Sequence, residues 1–155
     1  MSERAVTNSA CLIGLERIGR LDLLPQVFPV VFAPPAVRRE LGISVDWLTV
    51  KPVQNVAVVA TLNTQVDAGE AEAIALAMEL GDVMVILDDK KARRVAKQVG
   101  LRVIGTVGVL LRAKQQGVID AVKPLLDALD AADFRIAEGL RREALRLAGE
   151  DLPTV

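Results

Sequence analysis

The stretch "VMVILDDKKARRVAKQVGLRVIGTVGVLL", Val83 to Leu111, decides the fold. It opens with a continuous apolar run, Val83–Leu87, the pattern of a strand buried on both faces. Asp88 and Asp89 end that run. Lys90–Val99 has helical spacing and Gly100 stops it; Leu101–Ile104 is a second short apolar strand. Gly105 and Thr106 then lead into a helix that reaches Gln116 and closes at Gly117. Strands alternating with helices predict an α/β fold with a mostly parallel sheet. In such sheets the site lies outside the carboxyl ends of the strands, where Asp88 and Asp89 fall.

The same alternation extends outward. Ala5–Thr7 reads as a first strand, and Asn8 and Ser9 cap a helix with Leu12, Ile13, Leu15 and Ile18 on its apolar face. "RLDLLPQVF" reads as a short second helix and Val30–Phe32 as a second strand. "APPAVRREL" opens a helix with proline in its first turn, where the missing N–H is harmless. "DWLTVKPV" alternates like a strand or extended loop, and β-branching tips "QNVAVVATLN" toward strand. "DAGEAEAIALAMELG" is a helix with Asp67 as its cap and Gly81 as its stop. Ala121–Leu129 and Glu138–Ala148 are two more helices, whose apolar spacing suits packing on the domain's own core or, alternatively, a partner surface.

The 155 residues make one domain, 1–155, and 52% apolar content supplies a core. With 19 basic and 20 acidic residues the net charge of −1 points to no partner by itself. The absence of histidine excludes a Ser–His–Asp triad, a Cys–His pair and a His-ligated zinc. Cys11, the single cysteine, lies in the apolar run "ACLIGL" and reads as a buried structural thiol. No segment approaches the ~20 apolar residues of a membrane span, and the chain reads as cytoplasmic. One Trp, three Phe and no Tyr leave little surface on which bases could stack.

Carboxylates recur where the site is expected. Glu40 ends the "PPAVRREL" helix, and Glu70 and Glu72 lie in the first turns of "DAGEAEAIALA", with Glu70 bordering its apolar face. Acids held together stay ionised only beside a cation, and Mg²⁺ or Mn²⁺ suits oxygen ligands. Plainer readings stand beside this one. Asp88 and Asp89 could cap the next helix, and Glu70 and Glu72 could complement a helix dipole. Glu40 could pair with surface cations. The basic run Lys90, Lys91, Arg93, Arg94, Lys97 is either a solvated face or a phosphate contact.

The order of "LIGLERIGRLDLLPQVF", "PPAVRREL", "GEAEAIALAMELG", "VILDDKKARRVAKQVGL" and "GTVGVLLRAKQQGVI" resembles the PIN-domain superfamily. More narrowly it resembles the prokaryotic toxin–antitoxin-related (VapC-like) branch with the "GTVGVLLRAK" extension. The resemblance implies a three-layer α/β/α sandwich and a metal-dependent ribonuclease using Mg²⁺ or Mn²⁺. It also implies homodimers and a small cognate antitoxin protein. By position it implies Glu40, Glu70, Asp88 and Asp89 as catalytic acids, with Asn8 and Glu72 joining them as metal ligands. Thr106, Lys91 and Arg94 are implied on the substrate side.

One position departs from the resemblance. The superfamily's first strand usually ends in a metal-binding aspartate, and Asn8 stands there in this chain. An amide oxygen can ligate a hard cation but removes one negative charge, so metal affinity falls. Ala10 and Cys11 also stand where the branch usually has Ser-Pro. Two functional classes follow: a ribonuclease of toxin type, or a catalytically weak or inactive PIN-fold module binding RNA or a protein partner. A receiver-like phosphotransfer domain is a third; its acids would follow a different strand, and it needs a lysine directly after the last one.

Overall fold

The computed structural model describes residues 3–151. Five strands form the sheet: β1 (Arg4–Thr7), β2 (Val30–Ala33), β3 (Leu48–Val50), β4 (Met84–Ile86) and β5 (Arg102–Ile104). Between and after them run α1 (Ser9–Arg17), α2 (Leu23–Val27), α3 (Pro35–Leu41), α4 (Val56–Leu62), α5 (Ala68–Leu80), α6 (Lys90–Gln98), α7 (Thr106–Gln115), α8 (Lys123–Ala131) and α9 (Glu138–Leu147).

The strand order is β3-β2-β1-β4-β5, and every neighbouring pair is parallel. The chain builds outward from β1 to one edge, then crosses back to place β4 on the other side of β1. That reversal puts the topological switch point between the carboxyl ends of β1 and β4, where an α/β crevice belongs. The two strands are tied there by Asn8 N donating to the Ile86 carbonyl at 3.3 Å.

Alternation along the strands fills a core on each face. Ala5 packs with one cluster and Val6 with the other, and both are fully buried. The first cluster gathers side chains of α1, α2, α7, α8 and α9; the second gathers those of α4, α5 and α6. Helices on both faces of a parallel sheet make the α/β sandwich expected from the sequence. The α5 helix buries Ala71, Ala73, Ile74, Ala75, Leu76 and Ala77, apolar nearly all round, as a helix enclosed by neighbours should be. That burial fixes the direction in which its first turn presents Glu70.

One segment differs from its sequence reading. "QNVAVVATLN" is not a strand but contains α4. The β-branched residues cost only about a few tenths of a kcal/mol each in a helix. The Asn55 side chain accepts from Val58 N at 3.2 Å to cap it, and the Glu79 carboxylate of α5 accepts from Gln54 N and Asn55 N at 3.0 Å. Those bonds decide against the modest β preference.

Candidate functional site

The carboxyl edge of the sheet carries a crevice of about 310 Å³ lined by Asn8, Ser9, Glu40, Asp67, Gly69 and Glu70, among others. Asn8 follows β1 and is 6% exposed. Its Oδ1 accepts from Cys11 N at 3.3 Å, so the amide caps α1. Ser9 Oγ donates to Glu40 Oε2 at 2.7 Å, joining the start of α1 to the end of α3. A Cβ on Gly69 would stand 2.9 Å from Glu40 Oε1, so glycine is what lets that carboxylate lie against the first turn of α5.

Glu70 belongs to a capping box. Glu70 N donates to Asp67 Oδ1 at 2.7 Å, and Asp67 N donates to Glu70 Oε1 at 3.3 Å. Burial pushes the Glu70 carboxyl up to about 7, and the negative charges of Asp67 and Asp89 add to the shift, while the bond from Asp67 N opposes it. Glu72 is partly buried and does not line the crevice.

The adjacent acids Asp88 and Asp89 take different partners. Asp88 accepts from Thr106 N at 2.7 Å and from Thr106 Oγ1 at 2.6 Å, with Thr106 fully buried. It therefore serves the N-terminus of α7, whose own cap position is Gly105 and offers no side chain. Asp89 is exposed and accepts from Ala92 N at 2.9 Å, capping α6. Both acids act as helix caps, one for the next helix and one for a helix eighteen residues on. Arg93 turns back from α6 to donate to the Leu87 carbonyl at 2.9 Å, holding the end of β4 just before Asp88. Burial and then the charge of Asp88 push the Cys11 thiol up to about 12, which leaves it protonated and inert at neutral pH.

These placements test the cation reading. Asn8, Glu40 and Glu70 meet in the crevice; Asp88 turns instead toward Thr106, and Lys91 and Arg94 are exposed on α6. Among the described residues, no group of three or more Asp, Glu or Cys side chains is placed to hold a metal ion. The donor set, as arranged, does not fit the divalent cation that the fold family implies. Asp67 was visible in the sequence as a cap, but not as a crevice wall, and Arg93 as part of a basic run read as a solvated face or a phosphate contact, not as a brace for the end of β4. Gly69 carries no local signal, because the carboxylate it makes room for comes from α3.

The fold and the switch-point crevice define a doubly wound α/β protein of the kind that gathers polar groups from several strand ends. A family model described as DUF3368, PIN domain, matches residues 4–150. The chain belongs to the PIN-domain family. No curated protein matches it significantly. Among the described residues, no helix is long and apolar enough to cross a membrane.

Proposed function

We propose that this chain is a PIN-fold binding module whose crevice is catalytically weak or silent, and that its partner is a protein. The observation that carries the first part is the engagement of the would-be ligands. The Asn8 amide caps α1, both oxygens of Asp88 are bound by Thr106, and no three acids are placed to hold an ion among the described residues. A protein partner suits a surface with exposed leucines on α9, few aromatic rings and a net charge of −1 better than RNA does.

The test is a titration of Mn²⁺ and Mg²⁺ against thermal stability for the wild type and Glu40→Gln. A ligand specific for the folded state stabilises by RT ln(1 + [L]/Kd), about 2.7 kcal/mol at a hundredfold excess over Kd. The module reading expects no saturating rise at millimolar metal in either protein. A saturating rise in the wild type that Glu40→Gln loses would overturn it.

A second reading is a metal-dependent ribonuclease of toxin type with a small antitoxin partner. What favours it is the presence of Glu40, Asp67 and Glu70 on one crevice, where burial, with the charges of Asp67 and Asp89 adding to it, pushes Glu70 up to about 7. Cleavage of RNA that stops on Glu40→Gln would establish it.

A further inference from the structure

On the other side of Asp88 lies a larger groove, about 720 Å³, between β5, α7 and α9. Its floor is Ile104 of β5 with Val107 and Leu111 of α7; its wall is Leu140, Ala144 and Leu147 of α9. Leu140 is 50% exposed and Leu147 is 58% exposed, although they stand seven residues apart on one face. Their spacing runs for two helical turns, about 10 Å. β5 is also the edge of the sheet, with no strand beyond it among the described residues. The α9 helix is held in place by contacts at its far end: the Glu150 carboxylate accepts from Lys114 Nζ, Val122 N and Lys123 N at 2.9, 2.7 and 2.9 Å. The apolar wall is thus a fixed surface.

The charges around the groove are unequal. Lys90 and Arg135 line it, and neither takes part in an ion pair among the described residues. The acids that line it are already engaged, Glu143 by Arg146 Nε at 3.0 Å and Asp88 by Thr106. Lys90, Arg93 and Arg135 outnumber Asp88 and Glu143 along the lining, so the net charge offered to an occupant is positive, and the walls are aliphatic with no aromatic ring among them. RNA would need stacking surface that this groove lacks. A peptide helix with an apolar stripe and acidic flanks satisfies both features.

We propose that the α7–α9 groove docks an acidic amphipathic helix of a partner protein. The proposal rests on the binding-module reading and specifies its partner. The crevice titration and the groove test use different residues and different probes, so the failure of one is read apart from the other.

The probe is a synthetic helical peptide with leucines at i, i+3, i+4 and i+7 and glutamates on the flanks. Its counterpart carries lysines in place of the glutamates. Binding to the full chain is followed by fluorescence anisotropy. The expected result is saturable binding of the acidic peptide and at least tenfold weaker binding of the basic one. Leu140→Ser with Leu147→Ser should weaken the acidic peptide at least tenfold, and Lys90→Glu with Arg135→Glu should reverse the preference. All four side chains are exposed, so the variants keep the fold, which circular dichroism checks. Equal binding of the two peptides, no binding of either, or wild-type affinity in the leucine variant overturns the proposal. So does a dimer in sedimentation that the leucine variant disperses, which would make a second copy the occupant. Binding of a single-stranded RNA that the charge reversal abolishes and the leucine variant retains would overturn it equally.

Discussion

The crevice beside Asn8 and the groove beside Leu140 lie on either side of the β4 terminus, yet they differ in what they leave unsatisfied. In the crevice the polar groups find partners inside the chain: Asn8 with Cys11 N, Ser9 with Glu40, Asp67 with Glu70. In the groove, exposed leucines and unpaired cations face outward. Buried or half-buried polar groups are costly unless paired, so a crevice that binds no ion must satisfy its own donors and acceptors. An apolar groove carries no such obligation within the chain, and its apolar surface is best removed from water by another molecule. Polar residues lining a strand-end crevice can thus serve structure, while an exposed apolar surface lies in a separate groove.

Asp88→Ala should separate these roles with the largest effect. As a cap with two charge-assisted bonds to buried Thr106, Asp88 is worth about 2–3 kcal/mol, roughly a 5–10 °C fall in Tm. If instead crowding of carboxylates dominates, the same substitution raises Tm in metal-free buffer. Asp89→Ala, at an exposed cap, should cost only about 1 kcal/mol. Thermal melts of the two variants side by side give the comparison.

The pH dependence is smaller. Because the Glu70 carboxyl is raised from 4.5 to about 7, the folded chain holds a proton in that window that the unfolded chain has lost. Stability therefore falls as pH rises from about 4.5 to about 7, and the penalty is absent below that window. Discounted for the partial exposure of Glu70, the fall is about 1 kcal/mol. Glu70→Gln keeps the capping box, since glutamine serves at that position, and should flatten this segment of the stability profile. A profile unchanged by the substitution would show that the burial and charge around Glu70 do not control it.

Asn8→Asp sharpens the same contrast. Aspartate caps as well as asparagine, but a carboxylate at this buried position beside Glu40 and Glu70 is costly, so metal-free stability should fall by about 1–3 kcal/mol. If the missing charge is what keeps cations away, a saturating Mn²⁺-dependent rise in Tm should appear in this variant and be absent from the wild type. Smallest of all is the groove: Leu140→Ser with Leu147→Ser should leave Tm nearly unmoved, within about 0.5 kcal/mol per site, while removing the acidic peptide. A large fall in Tm would mean that these leucines belong to the core after all.

Much of the fold was legible because its signals are local. The apolar run before Asp88, the stop at Gly100, the proline at the head of α3 and the Asp67–Glu70 cap each act within a few residues. The α4 helix was not legible, because a carboxylate from Glu79 of α5 secures its start. The sequence placed polar groups at the carboxyl ends of the strands, Asn8 after β1 and Asp88 and Asp89 after β4, but not the meeting of Asn8 with Glu40 at the end of α3 and Glu70 at the head of α5, which packing of those helices brings about.

The sequence by itself determined the alternation of strands and helices outside α4, the edge at which polar groups would gather and the presence of a neutral amide at position 8. These depend on periodicity, capping chemistry and residue identity, which act through near neighbours. Only the tertiary structure decided which way each carboxylate turned. Asp88 and Asp89 are chemically identical neighbours, yet Thr106 claims one and the first turn of α6 claims the other. It alone also brought α9 beside α7 and left Leu140 and Leu147 in the open. Side-chain partners from distant segments are set by packing in three dimensions, and no local pattern carries that information.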